Sequence, residues 1–165
     1  MIDLREIKKK ILKKENFYFL TIIFCIFGID RYSKIEIINN FNDTKIYLND
    51  FLNIDLTWNI GIGFGLLSAT SNFYYNSVSL IIITVILILI YYLLISQILD
   101  KIIFSIIIGG ALGNFYDRLA YKAVPDFIDL HYNNFHWFTF NFADIFITIG
   151  VILYISNDLI IKKNE

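Results

Sequence analysis

Four long apolar stretches divide the chain, and the polar positions between and within them follow a pattern. Residues 77–96 (SVSLIIITVILILIYYLLIS) hold no charge, and residues 138–157 hold one, Asp144. Residues 17–34 are apolar through Ile29 and then meet Asp30, Arg31 and Lys34; residues 102–116 form a shorter run containing GGALGN. A helix needs about 20 mostly apolar residues to cross a hydrocarbon core about 30 Å thick. The pattern predicts four transmembrane helices at 17–34, 77–96, 102–116 and 138–157, in a single domain spanning 1–165. The small residues of the third run allow close helix packing.

The two longer connections, 35–76 and 117–137, differ from these runs. In residues 46–64 apolar and polar positions alternate over short distances, as in Ile46-Tyr47-Leu48 and Ile54-Asp55-Leu56-Thr57-Trp58. That alternation favours short strands. The glycines of Asn59-Ile60-Gly61-Ile62-Gly63-Phe64-Gly65 allow tight turns. The fold class is therefore an all-α membrane protein that carries a small extracytoplasmic β-sheet on the membrane surface. Residues 117–137 read as an outward loop.

Charge orients this arrangement. Arg5, Lys8, Lys9, Lys10, Lys13, Lys14, Lys101, Lys162 and Lys163 fall on one side of the spans, against Arg31, Lys34, Lys45, Arg118 and Lys122 on the other. Short flanks rich in Lys and Arg stay in the cytoplasm, so both termini are expected there and the two long connections face outward. The first run ends in Gly28-Ile29-Asp30-Arg31-Tyr32, with no pair of small residues for a cleavage site, and reads as a retained span. Composition agrees: 57% of the 165 residues are hydrophobic and 18% charged, where a soluble domain carries about 45–50% and roughly a quarter. A net charge of -1 gives no basic patch for nucleic acid. The single Cys25 cannot form an internal disulfide and reads as a small packed hydrophobe.

An ionisable group at membrane depth is costly and marks either function or a satisfied pair. Asp30, Asp117, Asp126 and Asp144 all fall toward the outer end of the spans. Asn141 and Asp144 are three apart, on one helix face; the plainer reading of Asp144 is an ion pair with Arg118. Asp126 lies in Val124-Pro125-Asp126-Phe127, beside the only proline of the chain, which stiffens the backbone around it. An acid in a rigid apolar turn and an acid in a span make a plausible catalytic dyad. Asn114, Asp117 and Arg118 share a helix face, with Asp117 and Arg118 suggesting a local ion pair or a substrate anchor. Asp30 and Lys34 have the i, i+4 spacing of a structural salt bridge. His131 and His136 are five apart, not the i, i+4 of a helical zinc pair, so no metal or other cofactor is expected. No nucleophile elbow, Walker A or dinucleotide motif is present.

Taken together, Gly109-Gly110-Ala111-Leu112-Gly113-Asn114-Phe115-Tyr116-Asp117-Arg118, Val124-Pro125-Asp126-Phe127-Ile128 and Phe140-Asn141-Phe142-Ala143-Asp144 resemble the signature of the lipoprotein signal peptidases, or signal peptidase II. Asp30-Arg31-Tyr32-Ser33-Lys34 looks like the first motif of that family, and Asn59-Ile60-Gly61 begins its second. The resemblance covers almost the whole chain. It implies four helices, a small periplasmic sheet and a periplasmic loop helix. It implies a metal-free aspartyl endopeptidase of the bacterial cytoplasmic (inner) membrane that cuts prolipoproteins before their diacylglyceryl-modified cysteine and is blocked by globomycin. Carried over by position, Asp126 and Asp144 are the catalytic pair. Asn114, Asp117, Arg118 and Asn141 then surround the site, and Asp30, Lys34, Asn59 and Gly61 support it. Arg31 stands where the family usually has Gln, and Ile62-Gly63 replaces its usual small residues.

Two rival readings are a membrane carrier or assembly factor whose acids bind protons or cations, and an intramembrane protease cutting at mid-membrane. A carrier would favour internal repeats around a midplane site, and the chain has neither.

Overall fold

The computed structural model describes residues 15–41, 44–61, 72–133 and 135–164. Four long helices are present: α1 (Glu15–Asn40), α2 (Asn72–Ile95), α3 (Ile98–Tyr121) and α4 (Phe142–Asn164). Four strands, β1 (Ile46–Asn49), β2 (Leu52–Asn59), β3 (Val124–Tyr132) and β4 (Phe135–Phe140), form one antiparallel sheet in the order β1-β2-β3-β4. By length and composition, α2, α3 and α4 can each cross a membrane.

The helices carry large apolar side chains on their outer faces as well as in their core. On α1 the buried stripe runs Phe19, Ile23, Ile26, Asp30, Lys34, Ile37, while Phe17, Tyr18, Phe24, Ile29 and Tyr32 are exposed. Steps of three and four residues keep that stripe on one face. Asp30, Arg31 and Lys34 do not end the helix, because they are buried on its inner side and α1 continues to Asn40. On α2, Leu80, Ile81, Val85, Leu87, Ile88 and Tyr91 all face outward. A surface this apolar suits lipid.

Helix α3 is the hub and packs against the other three. Its apolar contacts gather Phe19 and Ile23 of α1, Leu93 of α2, and its own Ile103, Phe104, Ile107 and Ile108 into one core. Its glycines set the spacing. A Cβ at Gly109 would lie 2.8 Å from Ile26 Cβ of α1, and one at Gly110 would lie 2.6 Å from the Ala143 carbonyl oxygen of α4. At Gly113 it would lie 2.2 Å from Asp30 Oδ2. The expected close packing is therefore present on both flanks of α3.

The sheet holds more chain than the alternation suggested. The strands expected around 46–48 and 54–58 are β1 and β2, with Asn49 Oδ1 accepting from the amides of Phe51 (2.9 Å) and Leu52 (3.0 Å) in the turn. The outward stretch 117–137, read as a loop, is instead the end of α3 followed by a strand pair. Helix α3 closes at Lys122, whose left-handed backbone (φ 60°) lets its N–H bond the Arg118 carbonyl. The segments VPDFIDLHY and FHWFTF are rich in aromatic and branched residues, which suit a pleated surface, and β3 lies between β2 and β4. The last helix starts at Phe142, not at 138, because Phe138 and Phe140 belong to β4. Among the described residues no separate loop helix occurs; Ile62, Gly63 and the rest of 62–71 lie outside them, as do the basic residues before Glu15.

A methyl group at Gly110 must push α4 off α3, since the atom it meets is backbone. Gly110→Ala is expected to lower stability by about 1–3 kcal/mol, the usual cost of overpacking. Gly28→Ala, where nothing lies within 4 Å, should be neutral or stabilising by up to about 1 kcal/mol through helix propensity. Thermal unfolding of both variants in detergent tests this; equal melting temperatures would contradict it.

Candidate active site

The site grows from the joint between β4 and α4. Asn141 is the only residue between them and is fully buried. It caps α4: its Oδ1 accepts from the Asp144 N–H (3.1 Å), and Asp144 Oδ2 accepts from the Asn141 N–H (3.2 Å). This reciprocal pair is a capping box with Asp in the third helical position. The amide nitrogen of Asn141 points the other way and donates to Asp126 Oδ1 at 2.6 Å. One side chain thus touches both acids.

Asp126 lies on β3, opposite Thr57 of β2. Its second oxygen accepts from Asn59 Nδ2 at 2.9 Å. Asn59 also accepts the Gly61 N–H through Oδ1 (2.9 Å), and Arg118 Nη2 donates to the Gly61 carbonyl (2.9 Å). Asn59 and Gly61 therefore form a turn clamped from α3. Asp144 Oδ1 accepts from Asn114 Nδ2 at 2.8 Å. Asp126, Asp144, Asn59, Asn114 and Arg118, with Val124, Ile147 and Thr148, line a cavity of about 190 Å³.

Behind Asn114 lies a buried charge cluster. Lys34 Nζ contacts Asp30 Oδ2 (2.8 Å), Asn114 Oδ1 (2.9 Å) and Asp117 Oδ2 (2.7 Å). Asp30 and Lys34 form the expected i, i+4 pair, and Asp30 Oδ1 also accepts the Ala143 N–H of α4 at 2.9 Å. The Asp117 carboxylate faces α1, where Arg31 bonds Oδ1 and Lys34 ion-pairs with Oδ2. Arg31, set aside in the sequence as a departure from a motif, is thus part of the cluster; nothing in the local sequence ties it to a residue 86 positions away.

Of the expected site residues, Asp126, Asp144, Asn114, Asn59 and Arg118 line the cavity, and Asn141 and Gly61 are hydrogen-bonded to them. Asp30, Lys34 and Asp117 stand one layer behind. The histidines form a separate feature on the sheet: His131 and His136 are cross-strand partners with stacked rings 5.4 Å apart. His136 Nδ1 bonds Asp129 (2.8 Å), and Asn53 Nδ2 contacts both Asp129 Oδ2 (3.1 Å) and His131 Nδ1 (3.2 Å). Among the described residues no group of three or more His, Cys, Asp or Glu is arranged to hold a metal ion.

Burial, and after it the charge of Asp144, pushes the Asp126 carboxyl from its ordinary 3.8 up to about 6, against the opposing bonds from Asn59 and Asn141. Two carboxyl groups that resist joint ionisation are suited to share a proton, one as acid and one as base.

The chain matches the family described as signal peptidase (SPase) II over residues 22–160. It is 45% identical over 155 residues to a lipoprotein signal peptidase of Pelagibacter ubique (strain HTCC1062), covering 92% of this chain and 93% of that one. A lipoprotein signal peptidase of Francisella tularensis subsp. novicida is 36% identical over 161 residues, covering 94% and 99%. A solved structure described as a bacterial membrane enzyme superposes with a TM-score of 0.75 at 29% identity, covering 90% of this chain and 91% of its own.

An acid titrating at about 6 holds its proton below that pH and loses it above. The infrared band of a protonated carboxyl, in the component that Asp126→Asn removes, should fade as pH rises through that value. Asn59→Leu deletes a donor that favours the ionised form, so the fade should move to higher pH. A shift to lower pH would contradict the assignment.

Proposed function

The chain belongs to the signal peptidase II family, and from that premise we propose that Asp126 and Asp144 are its catalytic dyad. The protein is a membrane peptidase that removes signal peptides from lipoprotein precursors. The single observation that supports the dyad is that Asn141 bonds both carboxylates, Asp126 through its side-chain amide and Asp144 through its backbone N–H, while both acids line one cavity.

The reaction then runs as follows. The ionised acid, Asp144, takes a proton from a water molecule as its oxygen attacks the scissile carbonyl carbon. Asp126, protonated, donates a hydrogen bond and then its proton to the carbonyl oxygen. The resulting gem-diol collapses as the C–N bond breaks: the proton taken by Asp144 passes to the leaving amine, one hydroxyl returns its proton to Asp126, and a carboxylic acid is formed. Such acid–base help contributes typically about 10²–10⁴-fold. A bound apolar substrate expels water from the cavity and favours the protonated state of Asp126 further, so one shared proton is kept as the site closes.

The substrate is a prolipoprotein carrying a diacylglyceryl cysteine, cut on the N-terminal side of that residue. The exposed apolar faces of the helices support this, since acyl chains and a signal helix approach through lipid. We read α1 as the fourth span: its 26 residues reach about 39 Å at about 1.5 Å each, and its Asp30, Arg31 and Lys34 are buried on the side facing α3. With the basic ends in the cytoplasm of a bacterial inner membrane, the acids and the sheet face outward, where globomycin would compete with substrate for the same cavity.

Asp126→Asn and Asp144→Asn should each lower turnover of a lipidated precursor by at least about 10²-fold with insertion and folding unchanged; retained turnover in either purified variant sinks the dyad. The wild-type protein should cleave diacylated precursor, leave unmodified precursor intact, and lose no activity in EDTA. Equal cleavage of both precursors would favour a general intramembrane protease, and none of either would favour a carrier.

A further inference from the structure

The buried cluster assigns a task to Arg31 that the reaction scheme does not use. We propose that Arg31 is a positioning residue: by holding Asp117, it leaves Lys34 able to keep Asn114 turned with its amide nitrogen toward Asp144. This rests on the dyad reading above and extends it one layer outward.

The argument is one of charge. Lys34 hydrogen-bonds Asp30 at 2.8 Å and Asn114 at 2.9 Å, and it forms an ion pair with Asp117 Oδ2 at 2.7 Å without a hydrogen bond to that oxygen. Two of these are carboxylates and one is a neutral amide. A full opposite charge attracts an ammonium more strongly than a neutral amide dipole does, so the amide is the partner that yields when the balance shifts. What keeps the balance is Arg31, which binds the other oxygen of Asp117. With it, Asp30, Asp117, Lys34 and Arg31 sum to zero charge. Without it, a buried site carries one uncompensated negative charge, which is strongly unfavourable, and the sole remaining cation is drawn to the two acids.

Asn114 matters because its two ends do different things. Its Oδ1 accepts from Lys34 while its Nδ2 donates to Asp144 at 2.8 Å. An amide released by Lys34 can rotate and present its oxygen to the Asp144 carboxylate, which loses a donor and adds repulsion. Arg31 itself does not line the cavity. Its guanidinium is held over the rings of Tyr116 (4.6 Å) and Tyr121 (5.8 Å). Its influence on the reacting groups runs through Asp117, Lys34 and Asn114 in turn.

Steady-state kinetics on the full-length protein in detergent with a diacylated precursor tests this. Arg31→Leu should lower kcat by about tenfold, the factor that 1.4 kcal/mol represents, with KM unchanged. Arg31→Lys should keep most of the activity. The double variant Arg31→Leu/Asp117→Asn removes both charges, returns Lys34 to Asp30 and Asn114 alone, and should recover kcat to within about threefold of wild type, a non-additive coupling. A residue that acted by packing alone would not be rescued by a second deletion. Full kcat in Arg31→Leu, or a double variant no better than the single, overturns the proposal. If Arg31→Leu is not recovered folded, an active double variant supports the proposal and an inactive one overturns it. Asp144→Asn is measured alongside: activity there would sink the dyad while leaving the coupling of Arg31 to Asp117 to be judged on its own.

Discussion

A lysine ammonium with no exposure to solvent, held between α1 and α3, is the contact on which the rest of the site depends. Lys34 is fully buried, as are Asp30 and Asp117. Taking such groups out of water costs several kcal/mol per ion, and the cost is offset where opposite charges lie close and cancel. Here Lys34 hydrogen-bonds Asp30 and Asn114 and ion-pairs with Asp117, and Arg31 completes the neutral set. Gly113 is needed for this, because any side chain there would occupy the place of the Asp30 carboxylate. The small residues of α3 are therefore electrostatic as well as steric features: they let α1 bring a charge pair into the helix interface.

From that cluster, order passes outward through polar side chains with distinct ends. Asp30 reaches the first turn of α4 through the Ala143 N–H, and Lys34 reaches Asp144 through Asn114. The cavity side of this arrangement is lined by side-chain amides and one guanidinium, so both acids accept hydrogen bonds from neutral donors. In the proposed dyad, such neutral donors leave a shared proton free to move between the acids.

Much of this could be read in the sequence. Runs of apolar residues located α2 and the greater part of the other helices, because lipid imposes length and composition directly. The i, i+4 spacing of Asp30 and Lys34 disclosed their pair, since both residues ride on one helix face. What escaped was whatever depends on chain segments far apart. The strands β3 and β4 were missed because histidines, acids and a proline break the alternation of 117–137, and those residues are tolerated only through their partners on β2 and on each other. Arg31 looked like a surplus charge because the acid it serves lies on another helix. The turn at Asn59 was visible as a motif, but its bond to Asp126 exists only once β2 and β3 pair.

The separation of the two acids shows why such non-local detail decides the chemistry. Asp126 sits inside a strand with neighbours on both sides, and Asp144 sits in the first turn of a helix. These frames are joined with no linker beyond Asn141, and that residue contributes its backbone N–H and both ends of its amide to the joint. A drift of one acid relative to the other must break the cap of α4 or the contact between β3 and the helix joint. Sites mounted on such rigid elements hold their geometry more closely than sites on loops. The proposed reaction needs a water molecule held within reach of one acid and a carbonyl oxygen within reach of the other. A single asparagine between strand and helix, with Asn114 and Lys34 behind Asp144, supports that demand from regular elements of the fold.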